Sequence, residues 1–150
     1  MRNTVIGIGN LLRADDGIGI HVVRKLKEER PDIDAIDVST AEIEILEHIR
    51  GRGKVIIIDA ITTGAEPGTI HKIQPRDLGS EEFRSHGLSL STTLMLGSQL
   101  YPEEMPKELV ILAVEAEDID SFSNELTYKV KSAIPRLLEE IDNEFKDMEA

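Results

Sequence analysis

Five consecutive residues, Lys54-Val55-Ile56-Ile57-Ile58, constrain this chain more than any other feature. The last four are β-branched with no polar residue between them, so a strand made from them is apolar on both faces. A parallel sheet covered by helices on both sides is the architecture that buries such a strand. Leu109 to Val114 is a second run of this kind. Thr4 to Ile8 reads as a first strand and Ala35 to Val38 as a short second one. After the turn Glu66-Pro67-Gly68, the stretch Thr69 to Ile73 alternates and reads as an edge strand.

Helical patterns fall between these runs. Gly17 to about Glu29 is stopped by Pro31, and Ala41 to about Ile49 has Ser39 or Thr40 as its expected N-cap, with Gly51 and Gly53 beyond its end. Gly87 to Leu100 is a third helical segment. The closing stretch, Ser123 to Lys146, places Leu126, Val130, Ile134, Leu137, Ile141 and Phe145 on one stripe, and Pro135 within it predicts a kink or a two-part helix. The alternation implies an α/β three-layer sandwich with a mostly parallel twisted sheet of about five strands and helices on both faces. The 150 residues are expected to form a single domain.

Charge narrows the function classes. The formal net charge of −12 speaks against nucleic acid, whose phosphates need concentrated Lys and Arg, and suits a solubilising acidic surface. With no cysteine there is no disulfide, thiolate metal site or thiol nucleophile. No apolar run approaches the ~20 residues that span a bilayer, and no signal peptide opens the chain, so a cytoplasmic protein without membrane insertion is expected.

In open α/β sheets, ligands bind beyond the carboxyl ends of the strands. Three polar positions follow apolar strands here. Asp15 and Asp16 come after the glycine turn that starts at Gly7-Ile8-Gly9-Asn10; Asp59 follows Ile58; His86 lies in the loop Arg84-Ser85-His86-Gly87. The turn looks at first like a dinucleotide fingerprint, but Leu12 stands where its third glycine belongs, and an acidic pair at the helix entrance would repel a pyrophosphate. A nucleotide-binding module is thereby disfavoured. Asp16, Asp59 and His86 together would give a divalent cation two hard oxygen donors and one nitrogen donor. Each has a duller reading. Either aspartate of the pair can be a helix cap, and a lone loop histidine is commonly a solvated one. Asp59 is harder to dismiss, because a charge directly after three isoleucines is costly unless paired or exposed at the rim. His21, His48 and His71 are weaker candidates, and Thr62-Thr63 and Ser89 to Thr93 read as turn and capping residues.

With these residues in place, the chain resembles the hydrogenase maturation endopeptidases. The resemblance rests on Gly7-Ile8-Gly9-Asn10 with Leu12, Asp15-Asp16-Gly17-Ile18-Gly19, Ile57-Ile58-Asp59-Ala60, Pro67-Gly68-Thr69 and Ser85-His86-Gly87-Leu88, in the family's order across roughly residues 3–115. It departs at Val38-Ser39-Thr40, where many relatives have Gly-Thr, and at Leu126-Thr127-Tyr128, where Leu-Thr-Pro is common. The resemblance implies a protease that removes a C-terminal extension from the nickel-loaded precursor of a hydrogenase large subunit. It implies Asp16, Asp59 and His86 as catalytic and metal-binding residues, with Asp15 supporting the loop. Nickel would come with the substrate, and another divalent cation could sit in the free enzyme. At neutral pH both carboxylates are expected to be ionised. Metal-assisted hydrolysis and an aspartic-type acid pair both remain open, as does a non-catalytic chaperone for the nickel-loaded subunit.

Overall fold

The β-branched run lies at the centre of a five-stranded sheet. The computed structural model describes residues 2–40, 43–78 and 90–149. Strands β1 (Thr4–Ile8), β2 (Asp34–Val38), β3 (Lys54–Ile61), β4 (Ile70–Ile73) and β5 (Glu108–Glu115) are ordered β2-β1-β3-β5-β4. All neighbours are parallel except β4, an antiparallel edge strand on β5. The α-helices among the described residues are α1 (Ile18–Glu29), α2 (Glu44–Ile49), α3 (Leu90–Leu100), α4 (Tyr128–Ser132) and α5 (Ile134–Glu149).

Strand alternation sorts the core into two layers. Val55, Ile57 and Ile61 of β3 join Ile6, Ile8, Ile111 and Ala113 under Ile45, Leu46 and Ile49 of α2 and Leu90 and Leu94 of α3. Ile56 and Ile58 face the other way, with Val5, Val110, Leu112 and Val114, under α1, α4 and α5. The four isoleucines of β3 are buried, and each such side chain contributes about 2 kcal/mol of transfer free energy. The three-layer α/β sandwich expected from the sequence is therefore present. Among the described residues, no helix is long and apolar enough to cross a membrane.

Several boundaries differ from expectation, each for a local reason. β3 continues past Asp59 to Ile61, so this aspartate lies within a strand and on the face of Ile57 and Ile61. Gly17 is the N-cap of α1 rather than its first residue, and a short 3-10 turn, Ala14–Gly17, leads into it. α2 begins at Glu44 behind Ile43, so Ser39 and Thr40 do not cap it; they line an open groove of about 430 Å3 with Asn10, Leu11 and Arg24. Of the expected third helix, Gly87 to Ser89 lie outside the described residues.

The expected break at Pro135 is real. Ala133 caps α4, and Pro135 sits in the first turn of α5, where its missing N–H costs no helical hydrogen bond. Val130, Leu137, Ile141 and Phe145 are buried along one stripe, with Leu126 and Ile134 partly so. The helical part starts at Tyr128 instead of Ser123, because the preceding loop is tied to the glycine turn.

That turn is packed as tightly as backbone allows. A Cβ on Gly19 would lie 2.6 Å from the Ile8 carbonyl oxygen and 2.8 Å from that of Ile58. The first turn of α1 thus rests directly on β1 and β3. Glycine is needed here for helix-to-sheet contact, not for a phosphate.

Candidate functional site at the carboxyl rim

Asp15 is fully buried and its carboxylate is saturated. Oδ2 accepts from the backbone N–H groups of Glu117 and Asp118 and from the Thr127 hydroxyl, at 2.9, 3.0 and 2.8 Å, and Oδ1 accepts from the Thr127 N–H at 2.8 Å. The Asp15 N–H in turn donates to the Asp118 carbonyl at 2.8 Å. This aspartate is not a helix cap. It fastens the 117–127 loop to the glycine turn, the supporting role expected of it. Thr127 sits at the N-cap of α4 without capping it, because its hydroxyl is given to Asp15.

Asp16, the next residue, is turned to the other side. Its Oδ2 accepts the Asn10 N–H at 3.0 Å, while Asn10 Oδ1 accepts the Leu12 N–H at 2.9 Å. Asn10 therefore braces both ends of the turn. Gly9 makes this possible, with φ at +151° and the Asp16 carbonyl oxygen only 2.0 Å from where a Cβ would stand. Gly9→Ala is expected to displace Asp16 directly. It should lower stability by several kcal/mol and remove activity, read as a fall in Tm together with lost turnover.

Asp59 is 8 % exposed on β3, and its Oδ1 accepts the Ala60 N–H at 2.8 Å. Burial pushes its carboxyl up to about 8, the negative charge of Asp16 adds to the rise, and the Ala60 hydrogen bond opposes it. The expectation of an ionised Asp59 at neutral pH is therefore corrected: in the metal-free protein this group is mostly protonated. Its sensitivity to Asp16 puts both carboxyls in one electrostatic site, although one comes from the turn before α1 and the other from β3.

The third expected member, His86, lies outside the described residues. Among the described residues, no three Asp, Glu or His side chains form a cation cage, and Asp59 takes no bond from Lys, Arg or His. Two carboxyls in one electrostatic site offer hard oxygen donors of the kind a divalent cation takes, so they fit one. The other histidines are placed elsewhere. His48 is in the last turn of α2. His21 lies on α1; burial pulls its pKa down, Arg24 and Lys131 add to the fall, and its Nε2 has no partner among the described residues.

Glu115 is a further buried carboxylate, one not expected from the sequence. Glu115, 2 % exposed at the end of β5, accepts from the Thr63 hydroxyl at 2.6 Å, the Thr63 N–H at 2.8 Å and the Gly64 N–H at 3.3 Å. His71 Nε2 is 3.0 Å from Oε1, the oxygen that also accepts the Thr63 hydroxyl. Burial alone would raise the Glu115 carboxyl, but the bonds from Thr63, His71 and Gly64 outweigh it and hold it below the usual range. The cluster staples the 62–68 loop to the sheet. Its signal was available, since Glu115 ends an apolar run much as Asp59 interrupts one.

Fold and rim together define an α/β protein with an acid pair at the carboxyl ends of its strands, one acid kept neutral by burial. The family model for hydrogenase maturation proteases matches residues 20–144. The hydrogenase 2 maturation protease of Escherichia coli is 30% identical over 148 residues, covering 94% of this chain and 88% of that protein. The hydrogenase expression/formation protein HupD of Thiocapsa roseopersicina is 29% identical over 90% of this chain, which spans only 63% of that protein's length. Among solved structures, the hydrogenase maturating endopeptidase HybD from E. coli superposes with a TM-score of 0.75 at 28% identity, over 94% of this chain and 90% of that one. The chain belongs to the hydrogenase maturation protease family.

Proposed function

We propose that this protein is an endopeptidase that removes the C-terminal extension of a nickel-loaded hydrogenase large-subunit precursor. The observation that carries this reading is the Asp16–Asp59 pair, with Asp59 buried and its carboxyl raised to about 8. A neutral Asp59 is equipped to protonate the departing amide nitrogen, and Asp16 to take a proton from attacking water. The same pair is equipped to recognise the nickel carried by the substrate. Asp59 gives up its proton when a cation approaches, which makes the state of the site depend on metal in the precursor. Bound nickel would supply a Lewis acid for the scissile carbonyl or for water. His86 is proposed as the third ligand and completes the set with a nitrogen donor.

The test follows the mass of a nickel-loaded precursor over time. Wild-type protein should release a C-terminal peptide, and Asp16→Asn should leave the precursor intact while keeping its fold. A tail still attached after incubation with wild type would overturn the reading in favour of a chaperone. Equal cutting of nickel-free and nickel-loaded precursor would remove metal recognition and leave the acid pair alone.

A further inference from the structure

Asp16 belongs to the turn before α1 and Asp59 to β3, so something must set the distance between them. The short segment 115–118, where β5 ends, is bonded to both. The N–H groups of Glu117 and Asp118 donate to Asp15 Oδ2, one position from Asp16. The Ala116 N–H donates to the Ile61 carbonyl at 2.9 Å, two positions from Asp59. Just beyond Ile61, the Thr63 N–H, the Thr63 hydroxyl and the Gly64 N–H all donate to the Glu115 carboxylate. One stretch of backbone thus joins the support of one acid to the strand of the other.

Glu115 is the anchor of that stretch. Its backbone adds two bonds to those of its side chain: its N–H donates to the Thr69 carbonyl, and its carbonyl accepts the Gly68 N–H, both at 2.8 Å. It therefore holds both ends of the connection from β3 to β4. Asp59, Ala113 and His71 are register partners across β3, β5 and β4, so their side chains share one face of the sheet. Glu115, two positions beyond Ala113, is on that face too. His71 reaches it from β4 and Thr63 from the end of β3. A carboxylate shared by several donors cannot be removed without leaving them unpaired. A shift of about 1 Å between reacting groups costs about 10^2-fold in rate, so what fixes the two segments bears on the chemistry.

We propose that Glu115 is a positioning residue for hydrolysis: it anchors a brace, residues 115–118, that sets the spacing of Asp16 and Asp59. This role rests on the proteolytic reading above. Glu115 acts through the backbone beside each acid, so its loss reaches kcat and leaves KM.

The experiment measures kcat and KM for cleavage of a nickel-loaded large-subunit precursor, and amide exchange in the protein alone. Thr63→Val keeps the side-chain shape and removes one bond to Glu115, whereas Thr63→Ser keeps the hydroxyl. Glu115→Gln keeps the size but turns an NH2 towards groups that are themselves donors. Ile141→Val, in the buried stripe of α5, is the control for lost stability. With KM within about twofold, kcat should fall about tenfold in Thr63→Val and about 10^2-fold in Glu115→Gln, and Thr63→Ser should match wild type. Ile141→Val should lower Tm and leave kcat unchanged. In Glu115→Gln, exchange should quicken together at Ala60 and Glu117, the donors to Asp59 and Asp15. A rise confined to Thr63 and Gly64 would overturn the proposal, because the carboxylate would then hold only its own loop. Unchanged kcat in both variants, a raised KM alone, or an equal loss of kcat in Ile141→Val would overturn it as well. If the wild type cuts nothing, proteolysis falls, while exchange at Ala60 and Glu117 still decides the brace.

Discussion

Asp59→Asn is expected to abolish cleavage while making the metal-free protein more stable. The carboxyl of Asp59 ionises near 8 in the fold, against about 3.9 in an unfolded chain. Between those limits the folded state binds the extra proton, so this residue makes stability fall as pH rises from about 4 to about 8, after which its effect is constant. Asparagine keeps the size and has no charge to bury. At pH 8.5 the variant should therefore gain about 2 kcal/mol or more, seen as a Tm higher by roughly 4–8 °C; near pH 4 the two proteins should agree. Cleavage of the precursor should fall by about 10^3-fold. A variant that is less stable at pH 8.5, or that still cuts, would refute this account of the site.

The neighbouring substitution, Asp15→Ala, is expected to do the opposite to stability. Removing that carboxylate strands the N–H groups of Glu117, Asp118 and Thr127, all of which now donate to it. Deleting an acceptor shared by several buried donors costs about 3–5 kcal/mol, so Tm should drop by roughly 8–16 °C. Amide exchange should rise first at residues 117, 118 and 127. Asp15→Asn should be intermediate, because its amide NH2 faces groups that are themselves donors. A variant with unchanged Tm would mean that the loop is held by other contacts.

The contrast between these two aspartates shows where the sequence was readable. The fold was legible because Val55 to Ile58 and Leu109 to Val114 tolerate only one kind of environment, and the stripe from Leu126 to Phe145 only one helical face. The cost of burying Asp59 is visible in the sequence, and its charge suggests the end of a strand. A carboxyl that stays protonated does not end a strand, and β3 runs on to Ile61. The loop from Glu117 to Thr127 has no periodicity, and its order comes from bonds to Asp15 across 102 to 112 positions. No local pattern encodes such a contact. Ser39 and Thr40 carried a cap signature that tertiary geometry set aside.

The fastening of Asp15 to Thr127 also bears on timing. Asp16 is set next to a residue whose partners are made more than a hundred positions later, and Asp59 belongs to a strand that pairs with β5. A chain still emerging from synthesis, or one opened near its last helices, holds both acids without their working arrangement. The rim then takes its working arrangement only after β5 and the 117–127 loop have joined the fold, so the acid pair is assembled late by contacts distant in sequence.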